Sequence, residues 1–152
     1  MKHAKHTFLA ALILLFVAII WWGSLPHEAS RVFLNQRRAV QSISDVSLTQ
    51  RNYVARHPDA GYACKLSDLG EQGLVDKVLA SGTKSGYDFD LRCLQQGSQK
   101  VTSYTIVAEP NIQGTTGKYA LCADQSGETW YSENGAAADC LAMRRPIDQK
   151  YR

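Results

Sequence analysis

A run of apolar residues near the N-terminus limits the possible architectures of this chain more than any other part of its sequence. Residues 8–25 read FLAALILLFVAIIWWGSL and contain no charged side chain. A run of this length is close to the shortest helix that spans about 30 Å of hydrocarbon. Lys2 and Lys5 precede the run, and basic residues tend to keep their end of a helix in the cytoplasm. Trp21 and Trp22 stand near its far end, where amphipathic rings favour the lipid headgroups.

This run predicts the topology of the chain. We expect a cytoplasmic leader over residues 1–7, a helix in the lipid bilayer over residues 8–25, and a domain outside the cytoplasm over residues 26–152. A cleaved secretory signal is the alternative, but its apolar core is usually about 7 to 15 residues long. The letters that follow here, SLPHEAS, offer no clean small-x-small cleavage site. The favoured prediction is an uncleaved signal-anchor in the inner membrane with a periplasmic domain.

All the cysteines lie in the predicted exported domain. They are Cys64, Cys93, Cys122 and Cys140. An even set in a small exported domain indicates disulfides, here two of them. Zinc ligands usually come as close pairs, and spacings of 29, 29 and 18 residues do not provide such pairs. We therefore expect no metal site and no cofactor.

Net charge argues against a nucleic-acid partner. The chain has 17 Lys and Arg against 14 Asp and Glu, and two of the lysines, Lys2 and Lys5, precede the apolar run. The remainder is therefore nearly neutral. Its longest basic runs are the pairs Arg37-Arg38 and Arg144-Arg145, whereas a nucleic-acid binder usually carries a clustered basic face. Direct nucleic-acid binding is not expected.

A long amphipathic helix is predicted over residues 28–56. Its apolar residues recur at helical spacing on one face, and they are Ala39, Val40, Ile43, Val46, Tyr53 and Val54. Gln50 interrupts this face, and Leu48 falls on the opposite side. Pro58 ends the helix because the residue before a proline resists helical angles.

The remainder predicts short helical turns and then a sheet. The turns are expected at residues 66–69 and 74–79, and the strands at residues 87–93, 101–109, 118–123 and 128–132. A tight turn at residues 124–127 joins the last two strands. The tail from about residue 133 is expected to be irregular. The sequence thus predicts an α+β fold: a long N-terminal helix, membrane-spanning and then amphipathic, packed on a four-stranded antiparallel meander.

This order of elements resembles type IV pilins and the related pseudopilins. The resemblance covers residues 39–132, and its most specific pieces are ASGTKSGY before the first strand and YTIVAEP followed by GTTG. It departs at the N-terminus, where no glycine precedes Phe8 and no acidic residue precedes Glu28. The prepilin cleavage site and the glutamate that fibre assembly uses are therefore absent.

The resemblance implies a function as well as a fold. It implies a non-enzymatic, membrane-anchored structural or assembly protein of the bacterial cell envelope. Its expected partners are the lipid bilayer through residues 8–25 and the proteins of a type IV pilus or secretion apparatus. An extracytoplasmic binding module, such as a minor-pilin-like adhesin or receptor, is the alternative. Its surface would be the outer face of the sheet or residues 133–140.

No catalytic set is apparent in the chain. The sequence has no G-x-S-x-G, H-E-x-x-H or P-loop pattern, and His57 is expected to be a surface residue of a turn. Asp88 and Asp90 alternate along the first strand, for which a solvated face is favoured over a weak cation site. A hairpin turn also explains residues 124–128 better than a calcium loop. We therefore expect no enzymatic activity.

Aromatic side chains are the candidate binding residues. Tyr104, Tyr119, Trp130 and Tyr131 could form a patch on the sheet, although core packing explains most of them. Trp130 and Tyr131 are the favoured candidates for contact with a partner.

The pairing of the cysteines follows in part from the predicted strands. The second strand separates Cys93 from Cys122, which should then lie about 9 to 10 Å apart. A disulfide requires Cα atoms within about 7 Å, so this bond is disfavoured. Of the two pairings left, Cys64–Cys93 with Cys122–Cys140 closes the shorter loops and is favoured. The pairing of Cys64 with Cys122 and of Cys93 with Cys140 stays open.

Overall fold

The computed structural model describes residues 26–93, 100–148 and 151, and a compact unit spans Val32–Arg152. The elements, in chain order, are α1 Pro26–Arg56, α2 Leu66–Glu71, α3 Lys77–Ala80, β1 Thr83–Lys84, β2 Tyr87–Cys93, β3 Tyr104–Pro110, β4 Ala120–Asp124, β5 Thr129–Ser132, α4 Ala137–Met143 and β6 Arg145–Pro146. The strands form one sheet in sequence order, and every neighbouring pair is antiparallel. The fold is therefore an α+β meander.

The sheet and the tail correct two parts of the predicted fold. Six strands replace the predicted four, because β1 and β6 each add a two-residue strand at one edge of the sheet. Two residues are too few to show the alternation by which a strand is predicted. The tail after residue 133 is not irregular, since it contains α4 and β6.

The predicted membrane-spanning helix is also corrected. Within residues 26–93, 100–148 and 151, no helix is long and apolar enough to cross a membrane. This finding contradicts the predicted single-pass placement in the inner membrane. In α1, the buried apolar side chains lie on one face, and exposed polar residues such as Arg37 and Arg38 lie on the other. Residues 1–25, with Trp21 and Trp22, lie outside the described residues.

The apolar face of α1 covers one face of the sheet. Its fully buried members include Ala39, Ile43 and Val46, and Leu48 on the opposite side is exposed. From the sheet, alternate residues of the central strands point toward this helix, and they are Tyr87, Phe89, Leu91, Tyr104, Ile106, Ala108, Leu121 and Ala123. The predicted amphipathic stripe is confirmed. Burying a valine, leucine, isoleucine or phenylalanine side chain stabilises the fold by about 1.5–3 kcal/mol.

Gln50 shows why a polar residue lies within that stripe. Its side-chain amide is fully buried, and its Nε2 donates to the carbonyl oxygen of Ala63 at 2.8 Å. The backbone N–H of Ala63 donates in return to Gln50 Oε1 at 2.9 Å. Both polar ends of the amide are thus satisfied, which removes most of the cost of burying it. This pair of hydrogen bonds joins α1 to the connecting segment, which we define as residues 57–65 between α1 and α2.

Close packing at Tyr87 requires glycine at a distant position. The phenol of Tyr87 is fully buried and donates to the carbonyl oxygen of Tyr119 at 3.1 Å. Burial raises the pKa of Tyr87 well above its ordinary value of 10.0. At Gly117, a Cβ atom would lie 2.1 Å from the Tyr87 hydroxyl oxygen. Any side chain at this position would displace the ring.

The other face of the sheet is covered by α4. Cys140 in α4 bonds to Cys122 in β4, with Cα atoms 6.0 Å apart. Trp130 packs against this disulfide, together with Val107 and Leu141. The seven-residue helix is thus held by a covalent bond over a small apolar cluster.

Cys64 bonds to Cys93, with Cα atoms 5.1 Å apart. This bond joins the segment after α1 to the end of β2. The structure therefore contains the favoured pairing, and β3 lies between Cys93 and Cys122 as expected.

Candidate interaction surface

Four aromatic side chains form a continuous row on the side of the sheet that faces α1. Tyr131 contacts Tyr119 with ring centroids 5.0 Å apart. Tyr119 meets Tyr151 at 6.0 Å and nearly at right angles. Tyr151 in turn meets Phe33 at 5.5 Å. We call these four residues the aromatic row.

Each member of the row comes from a different part of the chain. Tyr131 lies in β5, Tyr119 immediately precedes β4, Tyr151 follows β6, and Phe33 lies in α1. The three tyrosines are partly buried against the main core, whereas Phe33 is 39% exposed. Edge-on and tilted contacts between rings add about 0.5–1.5 kcal/mol each beyond the area they bury. The ring contacts therefore hold the four side chains of the row against one another, and Phe33 is its exposed end.

Positive charge borders the row. Lys118 Nζ lies 5.0 Å from the centroid of the Tyr119 ring, a cation–π geometry. The Tyr119 side chain raises the pKa of the Lys118 ammonium by hydrogen bonding, so Lys118 stays charged. Arg145 pairs with Tyr131 in the β5–β6 ladder, and its guanidinium lies 3.9 Å from Glu133. The surface thus combines flat aromatic groups with cations.

The structure separates the two residues predicted to contact a partner. Tyr131 belongs to the aromatic row, but Trp130 points to the other face, because successive residues of a strand alternate. Trp130 is only 5% exposed, and the guanidinium of Arg144 lies 4.8 Å from the centroid of its ring. Their role in partner binding stays a prediction, and Trp130 presents little surface for it.

Other aromatic and acidic candidates have structural partners. Tyr104 is buried and packs against Tyr62 at 4.9 Å. Asp88 accepts hydrogen bonds from Thr83 at 2.9 Å and from Asn111 at 3.2 Å.

Asp90 forms an ion pair with Arg92 on the same strand. In the described part of the chain, no group of three or more His, Cys, Asp and Glu is placed to hold a metal ion. The turn at residues 124–127 forms as predicted, with Asp124 accepting from Ser126 N at 2.8 Å.

His57 is half-buried rather than a free surface residue. Its ring packs at a tilt against that of Tyr53, with centroids 4.4 Å apart. Among the described residues, its Nε2 atom has no hydrogen-bond partner. This environment packs the imidazole against the end of α1.

The aromatic row is suited to binding by contact. Its rings can stack on or pack against apolar groups, and its cations can attract acidic ones. Sequence reasoning identified Tyr119 and Tyr131 but missed Phe33 and Tyr151, which are distant along the chain. Comparison with models of known protein families, with curated proteins and with solved structures gives no match to this chain.

Proposed function

We propose that this chain is a non-enzymatic structural or assembly protein of the bacterial cell envelope, with the form of a pilin headpiece. It acts by contacting proteins of a pilus or secretion apparatus through the aromatic row. The observation that carries this proposal is the row itself, with its exposed end at Phe33 and its bordering cation at Lys118.

Two further features support the proposal. A long helix, a connecting segment with short helical turns and an antiparallel meander follow one another in the order that the pilin resemblance implies. The disulfides Cys64–Cys93 and Cys122–Cys140 suit an oxidising compartment, where such bonds form and persist.

The chemistry of the row matches that of protein interfaces. Tyrosine, phenylalanine and arginine are enriched at such interfaces because they offer large contact areas, and tyrosine and arginine also carry a polar or charged end. Rings already packed against one another lose little conformational freedom on binding. The row is therefore better suited to a protein contact than a set of isolated exposed side chains.

Site-specific cross-linking in cells tests the proposal. Phe33 is replaced by the photoreactive benzoylphenylalanine, which preserves an aromatic side chain. Ile112, which is 60% exposed in the loop after β3, receives the same group as a control. Adducts are identified by mass spectrometry.

We expect position 33 to cross-link to a pilus or secretion-apparatus protein, and position 112 not to. Adding Lys118→Glu should weaken that adduct, because it removes the bordering cation. Equal adducts at both positions, or none at position 33, would contradict the proposal.

A further inference from the structure

The solvent-facing side of α1 carries an unusual line of residues for an exposed helix face. Leu34 and Leu48 are 46% and 59% exposed, and Gln41 stands midway between them. Residues seven apart lie nearly on one line along a helix, so these three form a stripe about 21 Å long. Two leucines exposed on one stripe present apolar surface to solvent.

Two residues of opposite charge lie beside the stripe, both on the same side of it. Arg38 and Asp45 are also seven residues apart and lie on a second line beside it. Arg37 flanks the stripe on its other side. None of the ion pairs among the described residues involves Arg37 or Arg38. The face therefore carries arginines toward its N-terminal end and an aspartate toward its C-terminal end.

We propose that two copies of this chain pair through this face, with α1 antiparallel to α1 and the two-fold axis at Gln41. The midpoint between Leu34 and Leu48 is residue 41, so the axis places Leu34 of each copy opposite Leu48 of the other. The midpoint between Arg38 and Asp45 along the helix axis lies within one residue of Gln41. Each Arg38 then meets Asp45 of the second copy, and the interface is isologous.

The charges favour the antiparallel arrangement over a parallel one. A parallel pair would bring Arg37 and Arg38 of both copies together at one height, where like charges repel. The antiparallel pair instead forms two Arg38–Asp45 contacts. The second copy is thus the partner whose charges complement this face.

The positions of two surface cavities, one beside Leu34 and one beside Leu48, are consistent with the antiparallel register. One cavity of about 290 Å³ is lined by Leu34, Arg37, Arg38, Gln41 and Tyr151. Another of about 250 Å³ is lined by Asp45, Leu48, Thr49, Leu74, Val75, Asp76 and Leu79. In the antiparallel pair, Leu48 of the second copy faces the first cavity, and its Leu34 faces the second. Each leucine would act as a knob that enters a hole on the other chain.

Cysteine cross-linking of the full chain tests this register. Gln41→Cys should form a disulfide-linked dimer under mild oxidation, because only residues at a two-fold axis meet themselves. Glu71→Cys, exposed in α2, is the matched control and should stay monomeric. Leu34→Cys should not link to itself but should link to Leu48→Cys in a mixture. Self-linking at positions 34 and 48 would overturn the antiparallel register.

A charge exchange on the Gln41→Cys background supplies the second test. Arg38→Asp or Asp45→Arg alone should raise the dissociation constant of the dimer about tenfold, since each sets like charges opposite each other. The double exchange should restore dimer formation. A double variant as weak as the single ones, or no dimer at position 41, would overturn the pairing. Adducts at position 33 report the proposed function separately.

Discussion

The sheet is covered on its two faces by helices of very different length, and the two are held in different ways. On one face, the 31-residue α1 buries a long apolar stripe against the central strands. On the other, the seven-residue α4 covers a small cluster around Trp130 and is bonded to β4 through Cys140 and Cys122.

The difference follows from how much apolar surface each helix can bury. A long amphipathic helix stabilises its own docking, because burial contributes about 25 cal/mol per Å² of apolar surface. A helix of two turns buries too little to offset the loss of conformational entropy, and isolated helices of that length do not form in water. The disulfide removes part of that entropy cost from the unfolded chain. Covalent bonding thus replaces apolar area on the α4 face.

The largest effect is expected on the α1 face. Ile106→Ala should lower the free energy of unfolding by about 2–5 kcal/mol, because Ile106 is fully buried under α1 and the change leaves a cavity. Val107→Ala on the same strand points to the α4 face and should cost less than half as much. Urea unfolding measures both variants. Equal losses would contradict the expectation that side chains buried under α1 contribute more to stability than those under α4.

The next effect concerns the α4 face. Replacing Cys122 and Cys140 with alanine should cost about 2–4 kcal/mol. Hydrogen exchange should show α4 losing its protection while α1 retains it. Alanine at Cys64 and Cys93 is the matched control, and should leave the amides of α4 protected. If the amides of α4 stay protected without the Cys122–Cys140 disulfide, packing alone holds this helix on the sheet and the expectation is wrong.

Arg144 makes two contacts on the α4 face. Its guanidinium lies 3.3 Å from the buried carboxylate of Asp124 as well as over Trp130. Arg144→Gln should cost about 1–3 kcal/mol, mainly because the buried carboxylate loses its charged partner. The neighbouring Arg145→Gln removes only an exposed pair at 3.9 Å and should change stability by less than about 0.5 kcal/mol. Thermal unfolding measures the loss of stability in both variants. Equal losses would contradict the expectation and would show that Asp124 is satisfied without Arg144.

A smaller effect than those of Ile106, the disulfide and Arg144 is expected where neither a long apolar face nor a disulfide operates. Asp76 Oδ1 accepts from the backbone N–H groups of Val78 and Leu79, both at 3.0 Å, and thereby caps α3. Asp76→Ala should cost about 1 kcal/mol, whereas Asp76→Asn retains an acceptor and should cost less. Chemical denaturation at pH 7 measures the difference.

The same carboxylate gives a pH dependence of known sign. The hydrogen bond from Lys84 is the main reason that the pKa of Asp76 falls below its ordinary value of 3.8. Its stabilising contribution is therefore complete above that value and is lost as the pH falls through the lower folded pKa. The stability difference between the native chain and Asp76→Ala should shrink over that acidic range. A constant difference would exclude the charge as its source.

Much of the fold could be predicted because its signals are local and repeated. Helical spacing of apolar residues indicated α1, and alternation indicated β2. β-branched and aromatic residues indicated β3, and the turn at residues 124–127 separated β4 from β5. The short edge strands and α4 gave no such signal. The sequence of α4, AADCLAM, is too short to show a period, and its position depends on a bond that Cys140 makes with a distant strand.

The candidate surface was harder to predict than the fold. Tyr131 was identified, but its neighbours Phe33 and Tyr151 are brought to it only by tertiary packing. Trp130 and Tyr131 are both predicted contacts for a partner, although adjacent residues of a strand face opposite sides. That alternation was visible in the sequence and was the one available signal that could have separated them.

The reciprocal hydrogen bonds between Gln50 and Ala63 limit how this protein can change length during evolution. They set the number of residues that must lie between the helix and the connecting segment. An insertion or deletion within residues 51–62 would shift Ala63 away from the amide and leave two buried polar groups unmatched. Relatives that keep a glutamine at this position should therefore keep the spacing, and relatives that change the spacing should carry an apolar residue there.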